Sequence, residues 1–169
     1  DVGADPAAGP LEVRVEMGLE PKARVRLLWT GPAAWSRENQ HDIASLAAVL
    51  QIRVREVLRE DLGGVYGVGV SGGISTRPKE RYTFSISFGC APENVDSLIE
   101  ATSKEIEAIR TQGFDASYTD KIREIQRRDR EVDLRENGFW LRALKSYYSL
   151  DLDPRLVLDH DALVDRVTP

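Results

Sequence analysis

Apolar and polar residues alternate at both ends of the first thirty positions. Leu11, Val13, Val15 and Met17 are interleaved with Glu12, Arg14 and Glu16, and after Gly18 to Pro21 the alternation resumes through Ala23, Val25, Leu27 and Trp29. Side chains two apart share one face of an extended chain, so both stretches predict strands with one buried face. They are candidates to pair as a hairpin, although their connection lacks a tight-turn sequence. Gly31-Pro32 ends the second stretch. From about Asn39 the apolar positions become Ile43, Leu46, Ala47, Leu50, Val54, Val57 and Leu58, the spacing of one helical face. Gly63-Gly64 is expected to stop this helix by accepting the left-handed backbone of a helix end.

A glycine-rich extended segment starts at Tyr66, and Arg77-Pro78-Lys79-Glu80 reads as a turn. Next comes the clearest strand signal, Tyr82, Phe84, Ile86 and Phe88 alternating with Thr83, Ser85 and Ser87. Pro92 suits the first position of a helix whose apolar side carries Val95, Leu98, Ile99, Thr102, Ile106 and Ile109, and Gly113 ends it. Asp115, Ser117 or Thr119 is placed to cap a highly charged third helix from about 119 to at least 136, with Ile122, Ile125, Asp129 and Val132 along its narrow seam. Asn137-Gly138 predicts a bend. Helical spacing then continues through Phe139, Leu141, Leu144 and Tyr147 or Tyr148, and a short last helix follows Asp153-Pro154 with Leu156, Val157, Leu158, Leu163 and Val164.

The predicted order is strand, strand, helix, strand, strand, helix, helix, helix. Strand pairs separated by a helix favour an α+β fold, an antiparallel sheet with helices packed on one face. Residues 1–10, rich in Ala, Gly, Pro and Asp, read as a linker or frayed terminus, and 11–169 as a single domain without internal repeats. The absence of an initial methionine and the end at Val167-Thr168-Pro169, just after a predicted helix, raise the expectation that the chain was cut from something longer.

Composition narrows the function classes. The chain has 169 residues, 41% hydrophobic and 30% charged, enough for a real core. Its 28 acidic and 23 basic residues are intermingled with a net charge of -5, so there is no basic stripe to displace counterions from a nucleic acid. No apolar run approaches the ~20 residues that cross a bilayer, so neither nucleic acid nor membrane is an expected partner. Cys90, the single cysteine, has no internal disulfide partner, and that leaves the compartment open.

Most motif matches dissolve on inspection. Gly67-Val68-Gly69-Val70-Ser71-Gly72 spells G-x-G-x-x-G, but a helix precedes it and a turn and strand follow, the reverse of a phosphate-cradling loop. The lysine, H-R-D and D-F-G elements of a kinase are missing. His41 and His160, the two histidines, lie in neither H-E-x-x-H nor H-x-x-E-H, and they read as solvated residues near helix starts rather than as zinc ligands with Cys90. No metal site and no nucleophile-base pattern is expected, so the chain by itself reads as inactive.

Arg59 and Tyr66 are the exception. A helix that ends between them and a strand that begins there bring both towards one region. Arginine offers a permanently charged fork of donors and a phenol one directed hydrogen bond, a pair suited to a carbonyl oxygen gaining negative charge under attack. Glycines 63, 64, 67, 69 and 72 leave room for another backbone nearby. From chemistry alone the structural reading is the stronger one: a cation complementing a helix dipole and a tyrosine in the core.

Leu58-Arg59-Glu60-Asp61-Leu62-Gly63-Gly64-Val65-Tyr66 resembles the arginine-to-tyrosine motif in the C-terminal half of the insulinase/pitrilysin family of inverzincin peptidases. Gly18-Leu19-Glu20-Pro21-Lys22-Ala23, Ile86-Ser87-Phe88-Gly89-Cys90-Ala91-Pro92-Glu93 and Arg135-Glu136-Asn137-Gly138-Phe139-Trp140-Leu141 are similar to its bacterial PqqL-type branch, in the expected order over roughly 11–168. The resemblance implies a metallopeptidase/LuxS-like domain of a four-domain clamshell, whose N-terminal catalytic half binds zinc and whose C-terminal half closes over an extended peptide. It also implies that Arg59 and Tyr66 bind the substrate carbonyl and assist the transition state. Cofactor and partner follow from it: zinc in the parent rather than in this chain, the N-terminal half, a peptide substrate and a periplasmic parent. Domains of the family open with a further strand and helix and close on a strand, which implies a truncated sheet here with an edge left to cover. The alternative within the same family is a non-catalytic peptide-binding or processing-complex subunit.

Overall fold

The computed structural model describes residues 9–61 and 64–169. Most of the expected linker, residues 1–8, lies outside them, as do Leu62 and Gly63 of the helix stop. The chain groups into two compact units, Asp1–Gln112 and Gly113–Pro169.

The first unit is built on three antiparallel strands. These are β1 (Ala23–Pro32), β2 (Val65–Ser75) and β3 (Arg81–Cys90), in the spatial order β1-β3-β2. The strongest alternation therefore occupies the centre. β3 places Ile86, Phe88 and Cys90 on an inner face, all nearly sealed from solvent, and Thr83, Ser85, Ser87 and Gly89 on the outer one. Register aligns Val25, Leu27 and Trp29 of β1 with Phe88, Ile86 and Phe84, and the Trp29 and Phe84 rings stand 6.3 Å apart. A β2–β3 hairpin turn, including a cis Arg77-Pro78 bond, closes the other side.

Helix α1 (Arg37–Arg55) packs on the inner face. Its start is set by Ser36, whose hydroxyl accepts from the Asn39 amide at 2.9 Å, two residues earlier than the apolar spacing suggested. Ala47, Val49, Leu50 and Val54 are its buried side, while Leu46, expected there, is 40% exposed. Each fully buried aliphatic side chain contributes about 1.5–3 kcal/mol. Helix α2 (Val95–Gln112) follows a single 3-10 turn at Pro92–Asn94, buries Leu98 and Thr102, and ends at Gly113 with φ of +76°. Arg53 of α1 reaches Glu105 of α2 at 2.6 Å.

Two glutamines solve a problem that the strand order creates. β2 is an edge strand, and Gln51 of α1 donates to the Val68 carbonyl at 3.0 Å and accepts from the Val70 amide at 2.7 Å. Gln40 accepts from the Ile74 amide at 2.7 Å. The side-chain amides thus stand in for a neighbouring strand and blunt that edge.

The expected strand at Leu11–Met17 does not form. Its four apolar side chains are between 70% and 88% exposed, and no described strand pairs with it. Alternation supplies a face to bury, but a strand also needs a ladder partner and a covering layer, and among the described residues this segment has neither, although the outer edge of β1 is open. The hairpin expected between this segment and β1 is absent among the described residues; β1 pairs with β3 alone.

The second unit is helical. Its elements are α3 (Ala116–Asp133), α4 (Asn137–Ser149), a 3-10 turn Pro154–Leu158 and α5 (Asp161–Val164). Asp115 caps α3 by accepting from the Ser117 amide at 2.9 Å. The break before α4 falls at 134–136, so Gly138 lies inside a helix rather than at a bend. The Trp140 indole donates to the Leu134 carbonyl across that break at 3.0 Å, and Arg130 lies 4.6 Å from the centre of the Phe139 ring and donates to the Val157 carbonyl.

Candidate peptide-binding face

Arg59 sits in a π-helical turn, Glu56–Asp61, that continues α1. Such turns insert a residue into the helical ladder and recur at functional sites. Here Leu58 is the anchor, fully buried, and Arg59 directly after it is exposed. The amide of Gly64 returns to the Leu58 carbonyl at 3.2 Å. A Cβ on Gly64 would stand 3.0 Å from a Leu98 methyl of α2, a tight approach, and the Gly64 backbone is not left-handed as expected.

A β-bulge delivers Tyr66. Val65 pairs with Cys90 and Gly67 with Gly89, which leaves Tyr66 as the extra residue between two paired ones. Bulges re-aim the side chain they carry. The ring turns to the outer face, its Cδ2 3.7 Å from where a Cβ on Gly89 would stand, and the residue is 70% exposed. The core reading of this tyrosine is thereby excluded. Among the described residues, neither the phenol nor the Arg59 guanidinium has a hydrogen bond, ion pair or ring contact, and none joins the two to each other.

The outer face around Tyr66 is low and polar. Gly67, Gly69, Ser71 and Gly73 of β2 lie beside Gly89, Ser87, Ser85 and Thr83 of β3, with Ser71 and Ser85 hydroxyls 3.0 Å apart. Gly67 has nothing within 4 Å of a Cβ position, whereas Gly72, on the inner face, would place a Cβ 2.9 Å from the Ile43 carbonyl oxygen of α1. Of the glycines expected to admit another backbone, Gly72 thus admits this chain's own helix, and Gly67 stays open.

Two arginines complete this face and were missed in the sequence. Arg24 pairs in register with Gly89 and Arg26 with Ser87, so both side chains project on the Tyr66 side while Val25 between them is buried. Their signal lay in the alternation that marked β1, read there only for its apolar half.

Metal chemistry does not fit these residues. Among the described residues no three His, Cys, Asp or Glu side chains gather where they could hold a metal ion. His41 lies in α1 with Nδ1 3.5 Å from the Ser45 hydroxyl. Burial, with Glu93 nearby, raises the Cys90 thiol above its ordinary range, which keeps it a protonated core side chain.

Residues 2–126 match the peptidase M16 inactive domain. The chain belongs to this family. The inactive domain is the portion of a zinc-protease family represented here. It is 30% identical over 118 residues to an Arabidopsis thaliana zinc protease PQQL-like protein, covering 66% of this chain and 12% of that protein. It is 26% identical over 156 residues to the probable zinc protease PqqL of Haemophilus influenzae, covering 84% of this chain and 17% of that one. The fold is similar to that of part of the periplasmic protease PqqL from Escherichia coli, with a TM-score of 0.75 at 18% identity over 88% of this chain and 17% of the other. This M16 inactive domain therefore spans less than a fifth of the length of each of these relatives.

Proposed function

We propose that this M16 inactive domain binds an extended peptide against the outer sheet face, as the substrate-facing C-terminal part of a zinc metallopeptidase. The N-terminal half of that protein carries out the hydrolysis. The observation that carries this reading is the bulge that turns Tyr66 outward and leaves its hydroxyl without a partner among the described residues. An exposed phenol beside Gly67 and Gly89 has room to donate to a peptide carbonyl. Arg59, exposed at the end of the preceding helix, supplies the charge that suits that oxygen once it becomes an oxyanion. We take the two units to belong to one peptidase-family domain, because the matched residues 2–126 run across the division at Gln112. We place the parent in the periplasm, the location named for the E. coli structural neighbour.

The test joins this chain to a zinc-bearing half and measures peptide cleavage together with metal content. Tyr66→Phe should lower kcat by about a hundredfold, the effect of losing one oxyanion donor, with zinc content unchanged. Arg59→Ala should act in the same direction. Unaltered turnover in both variants would remove the proposed roles.

A further inference from the structure

We infer that Arg24 and Arg26 make the Tyr66 face selective for acidic peptides, specifically an extended segment with carboxylates at alternate positions. The inference rests on the peptide-binding reading above and names its substrate class. The register fixes the geometry. Arg24, Gly89 and Gly67 form one row across β1, β3 and β2, and Arg26, Ser87 and Gly69 form the next. Tyr66, the residue just before Gly67, lays its ring over Gly89, so Arg24 and the phenol flank the same glycine on the same face. Adjacent strands lie about 4.8 Å apart, and residues two apart in a strand are separated by about 7 Å. An extended peptide repeats its own same-side residues at that spacing, so carboxylates at alternate positions meet the two guanidiniums together.

Charge complementarity points to this occupant over a neutral or basic one. The chain as a whole is acidic, at -5, yet this face carries two exposed arginines. Among the described residues neither forms an ion pair, whereas Arg14, Arg53, Arg110, Arg123, Arg127 and Arg155 each have a carboxylate within 4.0 Å. The remaining positions of the two rows are Gly89, Gly67, Ser87 and Gly69, which bear no carboxylate. An arginine fork matches a carboxylate geometrically as well as in charge.

The test uses fluorescently labelled Gly-Ser peptides with glutamate, serine or lysine at every second position, titrated with the purified chain and read by anisotropy. The glutamate peptide should bind about tenfold more tightly than the serine peptide at low salt, as two exposed charge pairs allow, and the advantage should shrink on raising salt. R24E/R26E should invert the order in favour of the lysine peptide, while K121E/R128E, equal in charge change but on α3, should leave it as in the parent chain. If the reversed variant loses the wild-type thermal transition, R24Q/R26Q serves instead and should erase the preference. Binding that ignores peptide charge, or a preference abolished equally by K121E/R128E, overturns the selectivity and leaves the peptide-binding face standing. Binding of none of the three peptides overturns both.

Discussion

Leu11–Met17 and Tyr82–Phe88 carry the same alternating pattern and meet opposite fates. The second is the centre of the sheet, with a ladder partner on each side and Ile86 and Phe88 sealed beneath α1. The first forms no strand and shows its apolar side chains to solvent. Periodicity specifies which side chains share a face, but pairing and a covering layer decide whether that face is worth burying. The two segments thus separate the information in a pattern from the energy of a partner.

The sharpest break of this comparison is Ile86→Ala. The side chain is fully buried, so its loss should destabilise the domain by about 2–5 kcal/mol, measured as a shift in urea midpoint. A cost below about 1 kcal/mol would mean that β3 is not the centre of the core. Gly72→Ala comes next. Its Cβ would stand 2.8 Å from a Phe84 ring carbon and 2.9 Å from the Ile43 carbonyl oxygen, a backbone atom that cannot swing aside. Overpacking of this kind costs about 1–3 kcal/mol, and a neutral thermal melt would place α1 farther from β2 than described.

Gln51→Leu tests the covering of the sheet edge without disturbing its inner face. It removes the partners of the Val68 carbonyl and the Val70 amide, at a cost of about 1–3 kcal/mol. It also reopens an edge that can template pairing with another chain, so the variant should show concentration-dependent association in light scattering. A variant as stable and as monodisperse as the parent chain would show that the edge does not need Gln51.

These contrasts also explain which parts were legible. β3 and α2 could be read because propensity, periodicity and end signals agree there, as at Gly113 with its left-handed φ, whereas α1 was legible in its periodicity but not at its ends. The π-helical turn at Glu56–Asp61 has no such signature, since the apolar positions Val57 and Leu58 continue the α-helical spacing that precedes them. For the proposed site, complementary chemistry points to Arg59 and Tyr66, and both side chains are exposed. The bulge that turns Tyr66 outward depends on cross-strand register, which a single segment does not encode. Arg24 and Arg26 escaped for the same reason: their significance comes from lying opposite Gly89 and Ser87, residues more than sixty positions away.

In the helical unit the cap of α3 gives a smaller signal, best followed by pH. Hydrogen bonds from the Ser117 hydroxyl and amide hold the Asp115 carboxyl below its ordinary range. A group whose pKa is depressed on folding contributes stability above its unfolded value, near 4, and that contribution fades as pH falls through the folded value. Helicity at 222 nm should therefore decline on acidification in that window, and Asp115→Ala should flatten that part of the curve. An identical profile in the variant would detach the cap from the acid response.

The smallest effect returns to the segment that failed to become a strand. Val15 is 70% exposed and pairs with nothing in the sheet, so Val15→Ala removes two methyl groups that water already surrounds. Surface changes away from caps, cores and networks fall within about 0.5 kcal/mol, and the urea midpoint should not move beyond that margin. A destabilisation above about 1 kcal/mol would show that Leu11–Met17 is buried in solution, and its pattern would then have the same meaning as that of β3.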